Sequence, residues 1–124
     1  MSTSHREAIQ RTAATAALAV PGVIALQPTL ADRLAHAASL THHSVTAGSD
    51  VHREAGRIRC EHMPRGGWQV EVRCILQADN RIVDIARQAR EEVRAAVTAS
   101  LSQHGAVGPI TVLVTVTRTI RGTT

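Results

Sequence analysis

The chain has 124 residues and a formal net charge of +4, a length that fits one domain able to bury roughly two-thirds of its unfolded surface. Twenty alanines and twenty-nine Val, Ile and Leu residues supply most of the 44% hydrophobic content, which excludes a disordered chain. Trp68 stands alone among the Phe, Tyr and Trp residues, lysine is absent, and all fourteen cations are arginine. Stacked-base recognition and Lys or Tyr acid–base chemistry therefore lack their usual side chains.

The first predicted element is a helix from His5 to Ala19. Ser4 and Glu7 read as a capping box, and Ile9, Ala13, Ala16 and Val20 recur at helical spacing. Pro21-Gly22 ends it. The uncharged run from Thr12 to Ala31 contains that Pro-Gly pair and is rich in Ala and Thr, so it reads as helix and stop signal, not as a membrane span or export signal. Val23 to Leu26 is a short apolar run, expected as an edge strand. A weaker helix begins at Thr29, with Leu30, Leu34 and Ala37 on one side. From Leu40 to Ala55 the pattern dissolves into Ser, Thr, His, Gly and Asp, which reads as a mobile loop.

The second half is more regular. Arg57 to Met63 alternates, with Ile58 and Cys60 on one side. Pro64-Arg65-Gly66-Gly67 is turn chemistry. Trp68 to Gln77 alternates again, with Trp68, Val70, Val72, Cys74 and Leu76 on one side and Ile75 breaking the other. The two runs predict a β-hairpin with one buried face, in an even register such as Cys60 opposite Val72. A long helix follows, capped by Asp79 or Asn80 and ending near His104-Gly105. Its apolar positions are Ile82, Ala86, Ala89, Val93, Val97 and Leu101, with Ala96 beside them. Ile110 to Arg118 is the last strand, with Ile110, Val112, Val114 and Val116 inward. The expected fold is α+β: a two-layer sandwich, helices on one face of a small mixed β-sheet, in the order α-β-α-β-β-α-β over residues 1–124. The helix between the last two strands implies a crossover. The other sheet face is expected to be open and polar.

Each candidate chemistry meets a plainer reading. Cys60-x-His62 with Cys74 invites a metal, yet the spacing of a zinc site is missing, and two buried thiols account for the pattern. The same two cysteines make no disulfide framework and fit a reducing compartment. His36, His42, His43 and His52 sit in or beside the loop with no orienting carboxylate shell. No nucleophile elbow and no phosphate loop is present. No catalytic residue, cofactor or metal is therefore assigned. Arg87, Arg90 and Arg94 fall at i, i+3 and i+7 and form a stripe flanking the apolar face of the long helix, fit for phosphates or an acidic partner, or for local pairing such as Arg87–Glu91 on a solvated shoulder. Gly105-Ala106-Val107-Gly108 spells the G-x-x-G of nucleic-acid-binding KH domains, but between a helix and a strand, where KH domains place it between helices. On the open sheet face, Arg57, Arg59, Glu61, Glu71, Arg73, Thr111, Thr115 and Thr117 alternate with Met63, Ile75 and Leu113. That mixture suits a protein–protein surface.

Three segments carry a family resemblance. Ala13 to Leu26, "AATAALAVPGVIAL", resembles the N-terminal helix and following V-x-G-V turn of the alkaline-shock-protein family, stress-response proteins of Gram-positive bacteria. Gly67 to Val97 is similar to that family's central strand and long helix, and Gly108 to Ile120 to its terminal strand. The Arg-only, Ala-rich composition resembles a high-GC actinobacterial member. The resemblance spans most of the chain outside Leu40 to Ala55 and rests on hydrophobic patterning. It implies a cytoplasmic, non-enzymatic scaffold of the envelope stress response, peripheral to the inner membrane face. Such a scaffold associates with itself as a homo-oligomer and docks to a small membrane-anchored protein, without inserting itself. The contact residues expected on this reading are Arg87, Arg90, Arg94, Met63, Arg73, Ile75 and Leu113. A KH-like nucleic-acid-binding module is the alternative, although nucleic acid is not the expected partner.

Overall fold

The computed structural model describes residues 2–28, 34, 55–78, 81–105 and 108–121, with side chains from residue 5 onward. The elements are α1 (Ser2–Leu18), β1 (Val23–Leu26), β2 (Arg59–His62), β3 (Trp68–Gln77), α2 (Ile82–Gln103) and β4 (Ile110–Ile120). The class is the expected α+β; among the described residues a four-stranded mixed sheet carries two long helices on one face. Of the short helix expected from Thr29, only Leu34 is described; it is helical and exposed. The remainder of that helix, and the loop from Leu40 up to Glu54, lie outside the described residues.

β3 is the hub of the sheet. β4 runs parallel to it along one edge, from Trp68 opposite Ile110 to Gln77 opposite Ile120. The other edge is shared end to end by two short antiparallel strands. β2 covers the first half, with His62 opposite Trp68, and β1 the second, with Leu26 opposite Cys74. The alternation read from β3 holds throughout: Trp68, Val70, Val72, Cys74 and Leu76 are buried, and the residues between them are not.

The core forms between that face and the helices. α2 buries Ala89, Val93, Val97 and Leu101. α1 contributes Ile9, Ala13 and Ala17, none with any exposure, together with Ala14. Alanine at those positions lets the α1 backbone approach its neighbours closely. The helices pack antiparallel: His5 near the start of α1 meets His104 at the end of α2 with ring centroids 6.1 Å apart.

Several local expectations are corrected. α1 begins at Ser2, so Ser4 lies inside the helix and is not its N-cap. β2 is shorter than expected, because Arg57 sits in the turn before it and Met63 in the turn after. The N-cap of α2 is Arg81 in the left-handed region (φ 72°), with no side-chain cap; Asp79 and Asn80 lie outside the described residues. Gly105 does follow α2 with positive φ (73°), as its C′ position requires.

The hairpin register is two residues from the expected one: Cys60 faces Val70, not Val72. The turn sets this. The Gly66 N–H donates to the Met63 carbonyl at 3.0 Å, and the Met63 N–H to the Gly67 carbonyl at 2.9 Å. Pro64 and Arg65 thus fill a tight turn closed by glycines at φ 91° and 88°, as three-residue hairpin loops do. Gly67 also has no room for a side chain, since an added Cβ would strike the Pro109 carbonyl and ring. The Trp68 N–H donates to that same carbonyl at 3.0 Å, tying the hairpin turn to the start of β4.

β4 departs from simple alternation. The register slips between Cys74 and Ile75, where Val116 pairs with Cys74 and Arg118 with Ile75. Thr117 is the extra residue of a bulge. Past it, Arg118 and Ile120 share the open face with Ile75 and Gln77. Thr117 is half-buried and its hydroxyl donates to Gln27 Oε1 at 2.8 Å. Of the four inward β4 residues expected, Val112 is buried and Ile110, Val114 and Val116 are half-buried against the core.

Candidate docking surfaces

The open face of the sheet carries charge in alternating sign. On β2, Arg59 precedes Glu61; on β3, Glu71 precedes Arg73; and the register sets Arg59 opposite Glu71. Leu113 stands opposite Glu71 on the other side, Thr115 opposite Arg73 and Thr111 opposite Gln69. Arg59, Glu61, Arg73 and Leu113 are exposed, whereas Glu71 and Ile75 are half-buried. Ile75 lies toward the far end of β3, between Ala25 and Arg118. Met63 is half-buried at the hairpin turn, apart from the others. The expected sheet-face residues that lie in paired strands share one side and form two groups, around Arg73 and Glu71 and around Ile75, whereas Arg57 and Met63 lie in the turns flanking β2 and Thr117 in the bulge.

Two grooves border this face. One, of about 620 Å³, runs between Arg6 and Gln10 of α1, Gln27 and Pro28 after β1, and the stretch from Gly56 to Glu61. Glu71 and Arg73 form its sheet side, and Gln10 Nε2 donates to the Ile58 carbonyl at 3.0 Å. The other, of about 330 Å³, lies between α2 and the outer edge of β4. Val83, Ala86, Arg87 and Arg90 line it from the helix, and Val112, Leu113 and Val114 from the strand. Here the structure brings Arg87 and Arg90 of the expected stripe together with Leu113 of the expected sheet face. Periodicity within one helix or one strand carries no information about that juxtaposition.

The stripe flanks the buried side of α2, as its spacing requires. Its pairing differs from the local Arg87–Glu91 contact considered above. Glu91 is shared by Arg90 at 3.5 Å and Arg94 at 3.8 Å. Arg87 has no ion-pair partner among the described residues. These groups are more than half exposed, so their pairing adds little to stability.

The cysteines stay apart. Cys60 and Cys74 are both free and buried on the core side. With Cys60 opposite Val70, Cys74 lies four residues further along β3, ~13 Å at the usual strand rise. That exceeds the diagonal-neighbour spacing expected from the sequence and any disulfide reach. Burial pushes the Cys60 thiol up to about 11, against a lowering by the Arg6 charge and with a further raising by Glu61. Burial raises Cys74 as well. His62 turns its ring edge-on to Trp68, centroids 5.0 Å apart. No group of three or more His, Cys, Asp or Glu that could hold a metal forms among the described residues. The histidines at 36, 42, 43 and 52 lie outside them. Gly105 and Gly108 stand between α2 and β4 and flank no second helix.

No described helix is long and apolar enough to cross a membrane. No family model, no curated protein and no solved structure matches the chain.

Proposed function

We propose that the protein is a non-catalytic scaffold that associates with itself and docks to a small membrane-anchored partner, as the resemblance to the alkaline-shock family implies. It works in the cytoplasm, at the inner face of the membrane, in an envelope or alkaline stress response. The observation that carries this reading is the open sheet face. Its charges alternate in sign between Arg59, Glu61, Glu71 and Arg73; the exposed Leu113 lies beside Glu71 and Ile75 further along β3. A surface of alternating sign is self-complementary, because a twofold copy can set each cation against an anion. The separate arginine row on α2 supplies a second surface of one sign, suited to an acidic partner.

The test is capture of the tagged chain from native lysate in mild detergent, with protein and nucleic acid measured in one eluate. The expected result is a small hydrophobic membrane protein, recovered with little nucleic acid. Recovery of nuclease-sensitive RNA or DNA alone, with binding that falls steeply in salt, would replace this reading with the KH-like one. Arg87→Glu with Arg94→Glu, both exposed, weakens the capture and leaves the fold intact. Leu113→Arg lowers the oligomer mass in light scattering; an unaltered mass counts against self-association through the open face.

A further inference from the structure

β4 ends the sheet. Ten of its eleven residues pair with β3 along one side, Thr117 being the bulge, and no described strand pairs with the other. In a parallel ladder only alternate residues direct their N–H and C=O groups to the neighbour, so the remaining half of those groups in β4 point away from the sheet. Natural edge strands are blunted by charge, proline or a bulge. From Ile110 to Val116 this edge carries no charge and no proline; the bulge at Thr117 and the charge of Arg118 come only at its far end. Beside the unblunted stretch runs the groove of about 330 Å³. Its apolar rim is exposed, Val83 at 67% and Leu113 at 43%, and its cationic rim is Arg87 and Arg90.

We propose that this groove takes an extended acidic segment of a partner protein, which adds to β4 as a fifth strand and sets its carboxylates against Arg87 and Arg90. The proposal rests on the docking reading above and names the mode of docking and the chemistry of the partner. Backbone hydrogen bonds hold such a strand, and side chains select it. Charge selects the occupant. A second copy joined β4 to β4 about a twofold axis sets one arginine row against the other across the seam, and like charges there are destabilising. An uncharged strand covers Arg87 without pairing it, which leaves that cation desolvated and unpaired. An acidic strand pairs Arg87, which has no ion-pair partner among the described residues. Valine-sized side chains on the same segment cover Val83 and Val114.

The probe is a short labelled peptide alternating glutamate and valine, with a lysine–valine peptide as its control. Both are titrated against the full chain by fluorescence anisotropy, and amide hydrogen exchange is followed across β4. The acidic peptide binds, the lysine peptide does not, and the outward amides between Ile110 and Val116 exchange at least about tenfold more slowly at saturation. Arg87→Glu with Arg90→Glu weakens the acidic peptide by at least about tenfold and favours the lysine peptide. Binding without slowed exchange in β4, or equal binding by the double variant, overturns the proposal. So does β4 protection that grows with protein concentration in step with a doubled mass, which marks a second copy, or protection already complete in the dilute free chain. Capture of a membrane protein by a chain whose β4 ignores the acidic peptide leaves the scaffold reading standing and removes this one. Peptide addition at β4 with no membrane protein captured does the reverse.

Discussion

Between pH 9 and 11 the stability of this protein is expected to fall, and the two cysteines are the cause. The chain has no lysine and no tyrosine, and arginine stays charged well above this range. Cys60 is 4% exposed on the core side of β2, and burial is the main reason its thiol rises from 9.0 to about 11. Below pH 9 both folded and unfolded chains hold the thiol proton, and stability is undiminished. Between 9 and 11 the unfolded chain releases that proton while the folded chain keeps it. The unfolded state then binds fewer protons, so stability declines with rising pH, by up to about 1.4 kcal/mol per pH unit for one thiol. Across the window the loss from Cys60 is of order 2 kcal/mol, and it levels off above pH 11. Cys74, raised by the same cause, adds in the same direction. Urea unfolding at pH 9, 10 and 11 reads the slope directly. Cys60→Ala with Cys74→Ala loses some packing at every pH, but its stability stays flat across the window. A double variant with the wild-type slope would refute the assignment to the thiols.

Other perturbations follow from the packing. Gly67→Ala forces a Cβ into Pro109 at a backbone φ of 88°; a loss of about 3 kcal/mol or more is expected in urea unfolding. Ala13→Leu inserts a branched side chain where α1 has no free surface and costs about 1–3 kcal/mol, whereas Thr15→Leu on the exposed side of α1 changes stability by under about 0.5 kcal/mol. Ile9→Ala opens a cavity in the same core and costs about 2–5 kcal/mol by thermal or urea unfolding. Oxidation of the folded chain with diamide forms no intramolecular Cys60–Cys74 bridge; a mobility shift on non-reducing gels that reverses with reductant would show that the hairpin register is wrong.

How much of this was legible depends on what fixes each feature. The alternation of β3 and the four buried positions of α2 follow from solvent on one side and core on the other, and periodicity reports that directly. Registers are set elsewhere. The Cys60–Val70 pairing depends on a tight turn closed by Gly66 and Gly67, and a strand pattern of period two cannot tell one even register from the next. The bulge at Thr117 inserts one residue into an unbroken β-branched run, so no change of composition marks it. The left-handed Arg81 at the start of α2 has no side-chain cap, so a reading by capping preference does not find it. The docking groove was half legible. The arginine stripe was visible as a helical spacing and Leu113 as an outward strand residue, but their meeting depends on where α2 crosses relative to the edge of β4.

The arrangement of strands around β3 also orders events in time. β1, β2 and β4 each hydrogen-bond to β3 and to no other described strand. During synthesis, then, none of this sheet can form until the first half of β3, Trp68 to Glu71, has left the ribosome. β1 must wait unpaired while some fifty later residues are added, a few seconds at usual elongation rates. The hairpin of β2 and β3 is the first local pairing open to the chain. β4 docks last, once all of α2 has been made, on the one edge of β3 that is still vacant.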